Sequence, residues 1–179
     1  MKIRVRFAPS PTGPLHIGGL RTALYNYLYA KKHGGDFILR IEDTDQRRLV
    51  KGSEDYIVEA LTWAGIEPDE GGKRKGPFVP YNQSGRKDLY QKHVEQLVRE
   101  GKAYYAFDSD EDLQKLREES NKKGGAFLYC AQNRLHFKNS LTMTSQEVDK
   151  ALAEKPFVIR LLVEPNHEIV VSDEVRGNI

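Results

Sequence analysis

The sequence predicts an α/β fold, and three observations carry that prediction. Residues 2–7 alternate apolar and charged, residues 20–32 repeat apolar groups at helical spacing, and residues 37–41 form a mostly apolar run. Strand, helix and strand in that order make a βαβ unit, whose strands run parallel and end on the same edge of a sheet. A second part, from about residue 82 onward, mixes amphipathic helices with short strands and reads as α+β.

In the first strand Ile3, Val5 and Phe7 face one way and Arg4 and Arg6 the other, the period of a pleated strand with one buried face. Ala8-Pro9-Ser10-Pro11-Thr12-Gly13-Pro14 follows, and its prolines exclude both a helix and a hydrogen-bonded ladder. Leu20, Ala23, Leu24, Tyr27, Leu28 and Lys31 then recur at helical spacing, with Lys31, Lys32 and His33 before Gly34-Gly35 as a helix end. Phe37 to Ile41 is expected as a central strand covered on both faces. Ser53 is the N-cap candidate of a helix that buries Tyr56, Ile57, Ala60, Leu61 and Ala64 and stops at Gly65.

Glu67 to Gly85, rich in Gly, Pro and charge, is expected as a long loop that contains the domain boundary, dividing residues 1–81 from 82–179. Beyond it the pattern gives a helix over Asp88–Glu100, an aromatic strand over Ala103–Phe107 and a helix opened by Ser109 with Asp112. Gly124 to Thr142 has no period, and Thr144 or Ser145 caps one more short helix. Phe157–Val163, Glu164-Pro165-Asn166-His167 and Glu168–Val171 read as strand, turn and strand. The sequence stops at Arg176-Gly177-Asn178-Ile179 without a closing helix, and this reads as a fragment.

Composition sets wider limits. The 179 residues are 39% hydrophobic and 30% charged, and no apolar run approaches the roughly 18 residues that span a bilayer, so a soluble protein with no membrane partner is expected. Cys130 is the single cysteine, which excludes an internal disulfide and a multi-thiolate zinc site and fits a cytoplasmic location. A net charge of +2 is too mild to predict nucleic-acid binding by itself.

The chemistry concentrates in Pro9 to Gly19, PSPTGPLHIGG, between the first strand and its helix. Ligands of open parallel sheets bind beyond the carboxyl ends of the strands, where a helix N-terminus offers N–H groups to phosphate. His16 could donate to phosphate oxygens there, and Gly18 and Gly19, lacking Cβ, would let a ring or phosphate approach the backbone. A plain Pro/Gly turn before a capped helix is the alternative. Neither GxxxxGK[ST] nor GxGxxG is present. Arg6 and Glu42 stand at the ends of the first two strands, where by themselves they read as a salt bridge between neighbouring strands.

Three segments, VRFAPSPTGPLHIGGLRTALYNYLYA (Val5–Ala30), FILRIEDTD (Phe37–Asp45) and PYNQSGRKDLY (Pro80–Tyr90), resemble class I aminoacyl-tRNA synthetases of the bacterial glutamyl type. The resemblance implies a Rossmann-like nucleotide-binding fold in the first half and an inserted α+β subdomain that binds the tRNA acceptor. It implies glutamate–tRNA ligase activity with L-glutamate, ATP and tRNA(Glu) as partners, Mg²⁺ carried by the nucleotide, and a monomeric protein. The class signature HIGH stands here as His16-Ile17-Gly18-Gly19, with Gly in place of the last His. By resemblance His16, Gly18 and Gly19 are the catalytic signature, and Pro9, Ser10, Thr12, Gly13, His16 and Gly18 face ATP. Arg6, Ala8, Ser10 and Glu42 contact glutamate, while Thr44 and Asp45 lie near the terminal adenosine of tRNA. Some relatives hold the inserted lobe with zinc; Tyr104, Tyr105 and Phe107 stand at the corresponding stretch here, so aromatic packing and no metal are expected. Arg134, Lys138 and Arg160 are further candidate contacts to tRNA phosphate.

The family's lysine-rich KMSKS loop is absent from the 179 residues, so this chain alone is expected to be inactive. Two other readings remain open: a shorter paralogue that glutamylates a modified base of tRNA(Asp), and a non-catalytic module binding nucleotide or tRNA.

Overall fold

The computed structural model describes residues 2–166, 168–173 and 176–179; Met1, His167, Glu174 and Val175 lie outside the described residues. The chain divides into two compact units, Met1–Tyr90 and Gln91–Ile179.

In the first unit, β1 (Arg4–Phe7) pairs in parallel with β2 (Asp36–Leu39), Arg4 opposite Asp36 and Phe7 opposite Leu39. Between them runs α1 (Ile17–Lys32). Alternation does what the sequence implies: Arg4 and Arg6 are exposed while Phe7 is buried. The core gathers Phe7, Ala23, Ala30, Phe37, Leu39, Ile41, Ile57, Leu61 and Ile66, with Tyr27 edge-on to Phe37 at 5.8 Å. Fully burying each large side chain stabilises by about 1.5–3 kcal/mol relative to exposure, so this face fixes where both strands end. Gly35 is part of that fit, because a Cβ there would lie 2.5 Å from the Ile3 carbonyl oxygen.

The helix α2 (Ser53–Trp63) starts differently from the sequence expectation. Its N-cap is Gly52, at φ 82°, and no side chain caps it. Ser53, expected as the cap, instead donates its hydroxyl to the Gly13 carbonyl at 2.6 Å. A hydroxyl that serves a helix end in most sequences here ties down a loop 40 residues away.

Glu67 to Gly85 is not the free loop that its composition suggests. Asp69 N–H donates to Phe37 O (2.7 Å) and Leu39 N–H to Glu70 O (2.9 Å), so this segment lines the edge of β2 opposite β1. Ile41 N–H then donates to Tyr81 O and Gln83 N–H to Ile41 O, at 3.0 and 2.8 Å. Residues 82–90 therefore belong with the first unit, whereas the sequence reading divides the chain after residue 81. Gly71, at φ 83°, packs so closely on the Leu39 carbonyl that a Cβ would collide with it. Glu70, only 7% exposed, accepts from both terminal nitrogens of Arg4 and from the Tyr81 hydroxyl, and the Arg4 guanidinium lies 4.6 Å from the Phe78 ring centroid. Glycine-rich polar sequence can be ordered when its backbone bonds go to a sheet edge and its one buried acid is paired.

The second unit takes in most of α3 (Lys87–Arg99), then β3 (Ala103–Ala106), α4 (Asp110–Lys122), α5 (Ser145–Glu154) and β4 (Val158–Leu161). Ser109 caps α4 by accepting from Asp112 N–H at 3.1 Å, and Thr144 with Glu147 closes a reciprocal capping box on α5, both as the sequence implies. Of the strand, turn and strand expected over residues 157–171, the first forms as β4, while residues 168–171 carry no strand. Instead β4 pairs antiparallel with β3, Ala103 opposite Leu161, and β5 (Ser172–Asp173) pairs with β6 (Gly177–Asn178). The expected turn includes His167, outside the described residues. The partner of β4 is thus a strand from much earlier in the chain, whose Ala103, Tyr104 and Ala106 are buried.

Candidate active site

The loop after β1 carries one bond of its own and is tied to other segments at three points. Thr12 N–H donates to Ser10 O (2.9 Å), Val50 N–H to Pro11 O (3.0 Å), Glu42 N–H to Pro9 O (2.9 Å), and Ser53 to Gly13 O. So pinned, Pro9, Ser10, Thr12, Gly13 and His16 line one cleft of about 480 Å³, whose floor is Phe7, Leu15, Gly19 and Ile57. These are the residues that the sequence assigns to ATP, apart from Gly18, which does not line the cleft.

His16 is the N-cap of α1, and its Nδ1 accepts the Gly18 N–H at 3.1 Å. Nδ1 being the acceptor, a neutral ring carries its proton on Nε2, which leaves Nε2–H as the donor. The two glycines turn out to make room for the chain itself: a Cβ on Gly18 would lie 2.9 Å from His16 Cε1, and one on Gly19 would lie 2.6 Å from Leu15 Cδ1. The expected open approach to the backbone is thus partly filled by these two side chains. No acidic residue sits in the first turn of α1, so its positive end is not neutralised locally.

Arg6 and Glu42 come together at the carboxyl ends of β1 and β2, with Arg6 Nη1 3.9 Å from Glu42 Oε1. That is an ion pair without a hydrogen bond. The same Oε1 lies 4.0 Å from Arg40 Nη2, which donates to the Tyr90 hydroxyl at 2.8 Å. Neither Arg6 nor Glu42 lines the 480 Å³ cleft; the link between the two is the loop itself, through the bond from Glu42 N–H to Pro9 O.

Beyond Glu42, Asp43 accepts from the Ser84 N–H (2.8 Å) and hydroxyl (2.6 Å). Burial alone would raise the Asp43 pKa, but those two bonds and others from Asn82 and its own backbone outweigh it and hold the carboxyl below its ordinary range. Thr44 is exposed. Asp45 pairs with Arg48 at 2.6 Å, and this hydrogen-bonded partner lowers its pKa; the pair closes the turn Asp45–Arg48, in which Arg48 N–H donates to Asp45 O.

In the second unit, Arg160 lies over the Tyr129 ring at 3.8 Å, Tyr129 stacks on Phe137 at 4.5 Å, and Arg134 donates to the Val163 carbonyl at 2.8 Å. Cys130 is a half-buried free thiol. Among the described residues, no group of three or more His, Cys, Asp or Glu converges as a metal site.

Sequence reasoning missed Arg40, Tyr90, Ser53 as a tether, Ser84 and the Glu70 cluster. The bonds Arg4–Glu70, Arg40–Tyr90, Ser53–Gly13 and Ser84–Asp43 each span 40 residues or more, a separation at which no local pattern carries a signal.

Over residues 2–179 the sequence matches the family described as tRNA synthetases class I (E and Q), catalytic domain. The chain belongs to this family. The class I relatives include the glutamate–tRNA ligase of Christiangramia forsetii, 56% identical over 180 residues, covering 99% of this chain and 35% of that protein. The glutamate–tRNA ligase of Amoebophilus asiaticus is 58% identical over 178 residues, with 98% and 35% covered. A crystal structure of the glutamate-tRNA synthetase from Elizabethkingia anophelis superposes with a TM-score of 0.92 at 51% identity, covering 100% of this chain and 36% of that one. The chain spans about a third of the length of these relatives. This class I catalytic domain therefore has the α/β, Rossmann-like fold that the sequence implies.

Proposed function

We propose that this chain contributes to a glutamate–tRNA ligase, which activates L-glutamate with ATP and transfers it to the 3′ end of tRNA(Glu). The observation that carries the reading is the loop Pro9–Gly19, with its 480 Å³ cleft, joined through Pro9 to Glu42 on the edge where Arg6 also ends. In the first step the glutamate α-carboxylate attacks the α-phosphorus of ATP and pyrophosphate leaves; in the second the acyl group passes to the terminal ribose. No enzyme nucleophile is required, so rate comes from positioning and from stabilising phosphate charge.

In this reading Pro9, Ser10, Thr12, Gly13, His16 and Gly18 form the nucleotide site, with Nε2–H of His16 as a donor to phosphate and Mg²⁺ arriving with the nucleotide. Arg6, Ala8, Ser10 and Glu42 take glutamate, Arg6 gripping a carboxylate and Glu42 the ammonium. Thr44 and Asp45 face the tRNA end, and residues 82–179 receive the acceptor stem on a lobe packed by aromatics. The protein works as a cytoplasmic monomer.

The test is ATP–pyrophosphate exchange by the full-length gene product, with and without tRNA(Glu). Exchange should require glutamate over glutamine and should fall by about 10²–10³ in His16→Ala, the range for losing one oriented donor to developing charge. Exchange that is indifferent to the amino acid, or unaltered by His16→Ala, would refute the reading. The 179-residue chain alone should give none, as the KMSKS loop is not among its residues.

A further inference from the structure

Glu42 stands between two guanidiniums and is hydrogen-bonded to neither. Its Oε1 is 3.9 Å from Arg6 Nη1 and 4.0 Å from Arg40 Nη2. The two arginines differ in how they are held. The Arg6 side chain is 49% exposed, whereas that of Arg40 is 19% exposed. Arg40 is also anchored by its bond to the Tyr90 hydroxyl, with its Nε buried and without an acceptor. A lone carboxylate facing a lone guanidinium closes into a two-pronged pair, which would occupy both Arg6 and Glu42. A second, anchored cation at the same oxygen competes with that closure, because Oε1 is then attracted by both guanidiniums.

We infer that Arg40, aimed by Tyr90, is a positioning residue for recognition of a dicarboxylic amino acid: it holds Glu42 off Arg6, leaving Glu42 open to an ammonium and Arg6 open to a carboxylate. The charge count agrees. Two guanidiniums and one carboxylate are the complement of a ligand with two carboxylates and one ammonium, so Arg40 also keeps the group at a net +1 when Glu42 is ionised. This inference rests on the proposed assignment of Arg6 and Glu42 to glutamate.

The test measures ATP–pyrophosphate exchange by the full-length gene product and its Arg40→Gln, Arg40→Lys, Tyr90→Phe, Arg6→Ala and Glu42→Gln variants, at varied glutamate and varied ATP. Arg40→Gln should raise KM for glutamate about tenfold while KM for ATP stays within twofold and the melting temperature moves little. Tyr90→Phe should raise KM for glutamate about threefold, and Arg40→Lys should recover part of the loss. A crystal structure of Arg40→Gln should show Arg6 and Glu42 closed into a hydrogen-bonded pair. The inference fails if KM for glutamate is unchanged in both Arg40→Gln and Tyr90→Phe, or if both KM values rise together with a lower melting temperature. If Arg6→Ala and Glu42→Gln also leave KM for glutamate unaltered, it is the underlying assignment of the glutamate site that has failed. Should Arg40→Gln not fold, Tyr90→Phe and Arg40→Lys decide the matter by the same split.

Discussion

Replacing Glu70 with Gln tests whether the segment over residues 67–85 is fixed by one acid. In the wild type Glu70 is 7% exposed and accepts from both Arg4 terminal nitrogens and from the Tyr81 hydroxyl. Gln keeps the shape and can still accept from Tyr81, but it loses the charge that faces Arg4. Hydrogen bonds to charged groups contribute about 1.5–3 kcal/mol each. The Arg4 side chain is 31% exposed, so water recovers part of that loss, and the net cost is set at about 2 kcal/mol. At 2–4 °C per kcal/mol for a chain of this length, the melting temperature should fall by about 4–8 °C at pH 7.

The pH dependence supplies a second reading of the same variant. The hydrogen bond from Arg4 is the main cause that lowers the Glu70 pKa, against a smaller opposing effect of burial. A carboxylate with a depressed folded-state pKa stabilises fully above its unfolded value of 4.5, and that stability is lost as pH falls through the folded-state value. The gap between wild type and Glu70→Gln, followed by calorimetry from pH 7 down to about 3, should be constant above pH ~5 and then shrink. A gap below about 0.5 kcal/mol at pH 7, the level of an ordinary surface change, or one that persists undiminished in acid, would refute the account.

Three more outcomes follow from the geometry. Ser53→Ala should cost about 1 kcal/mol and speed amide exchange across Pro9–His16; if Ser53→Asn, a good helix cap, restores the wild-type values, Ser53 is a cap and not a tether. Asn139 is fully buried, donates to the Arg134 and Phe137 carbonyls at 2.6 and 3.1 Å and accepts from Leu141 N–H at 3.0 Å. Its replacement by Ala should therefore cost about 3 kcal/mol in denaturant unfolding, and a cost under 1 kcal/mol would show that the surrounding loop does not depend on it. Burial pushes the Tyr129 hydroxyl up to about 12, with the nearby Tyr104 adding to the shift; ultraviolet titration should show late tyrosine ionisation that is reduced in Tyr129→Phe, and an unaltered titration curve would count against the buried position.

Local pattern was enough for β1, α1, β2 and the caps at Ser109 and Thr144, because period and capping chemistry act within a few residues. The place of the Pro9–Gly19 stretch was legible for the same reason: its position between strand and helix follows from the elements on either side. Ser53 shows where such reasoning stops. Its sequence context is that of an N-cap, and its bond to Gly13 depends on α2 passing beside the loop. The apolar run at residues 157–163 likewise fitted a hairpin until β3 supplied a longer-range partner.

The sequence by itself determined the family, the βαβ opening and the placing of Arg6, His16 and Glu42 toward the carboxyl ends of β1 and β2. Only the tertiary structure decided that His16 presents Nε2 by spending Nδ1 on Gly18, that Glu70 locks a glycine-rich segment to β2, and that Arg40 and Tyr90 stand behind Glu42. The reason is physical. Periodicity and capping are encoded by neighbours in the chain, whereas a charge or hydroxyl finds its partner only after the core has set which distant segments lie side by side.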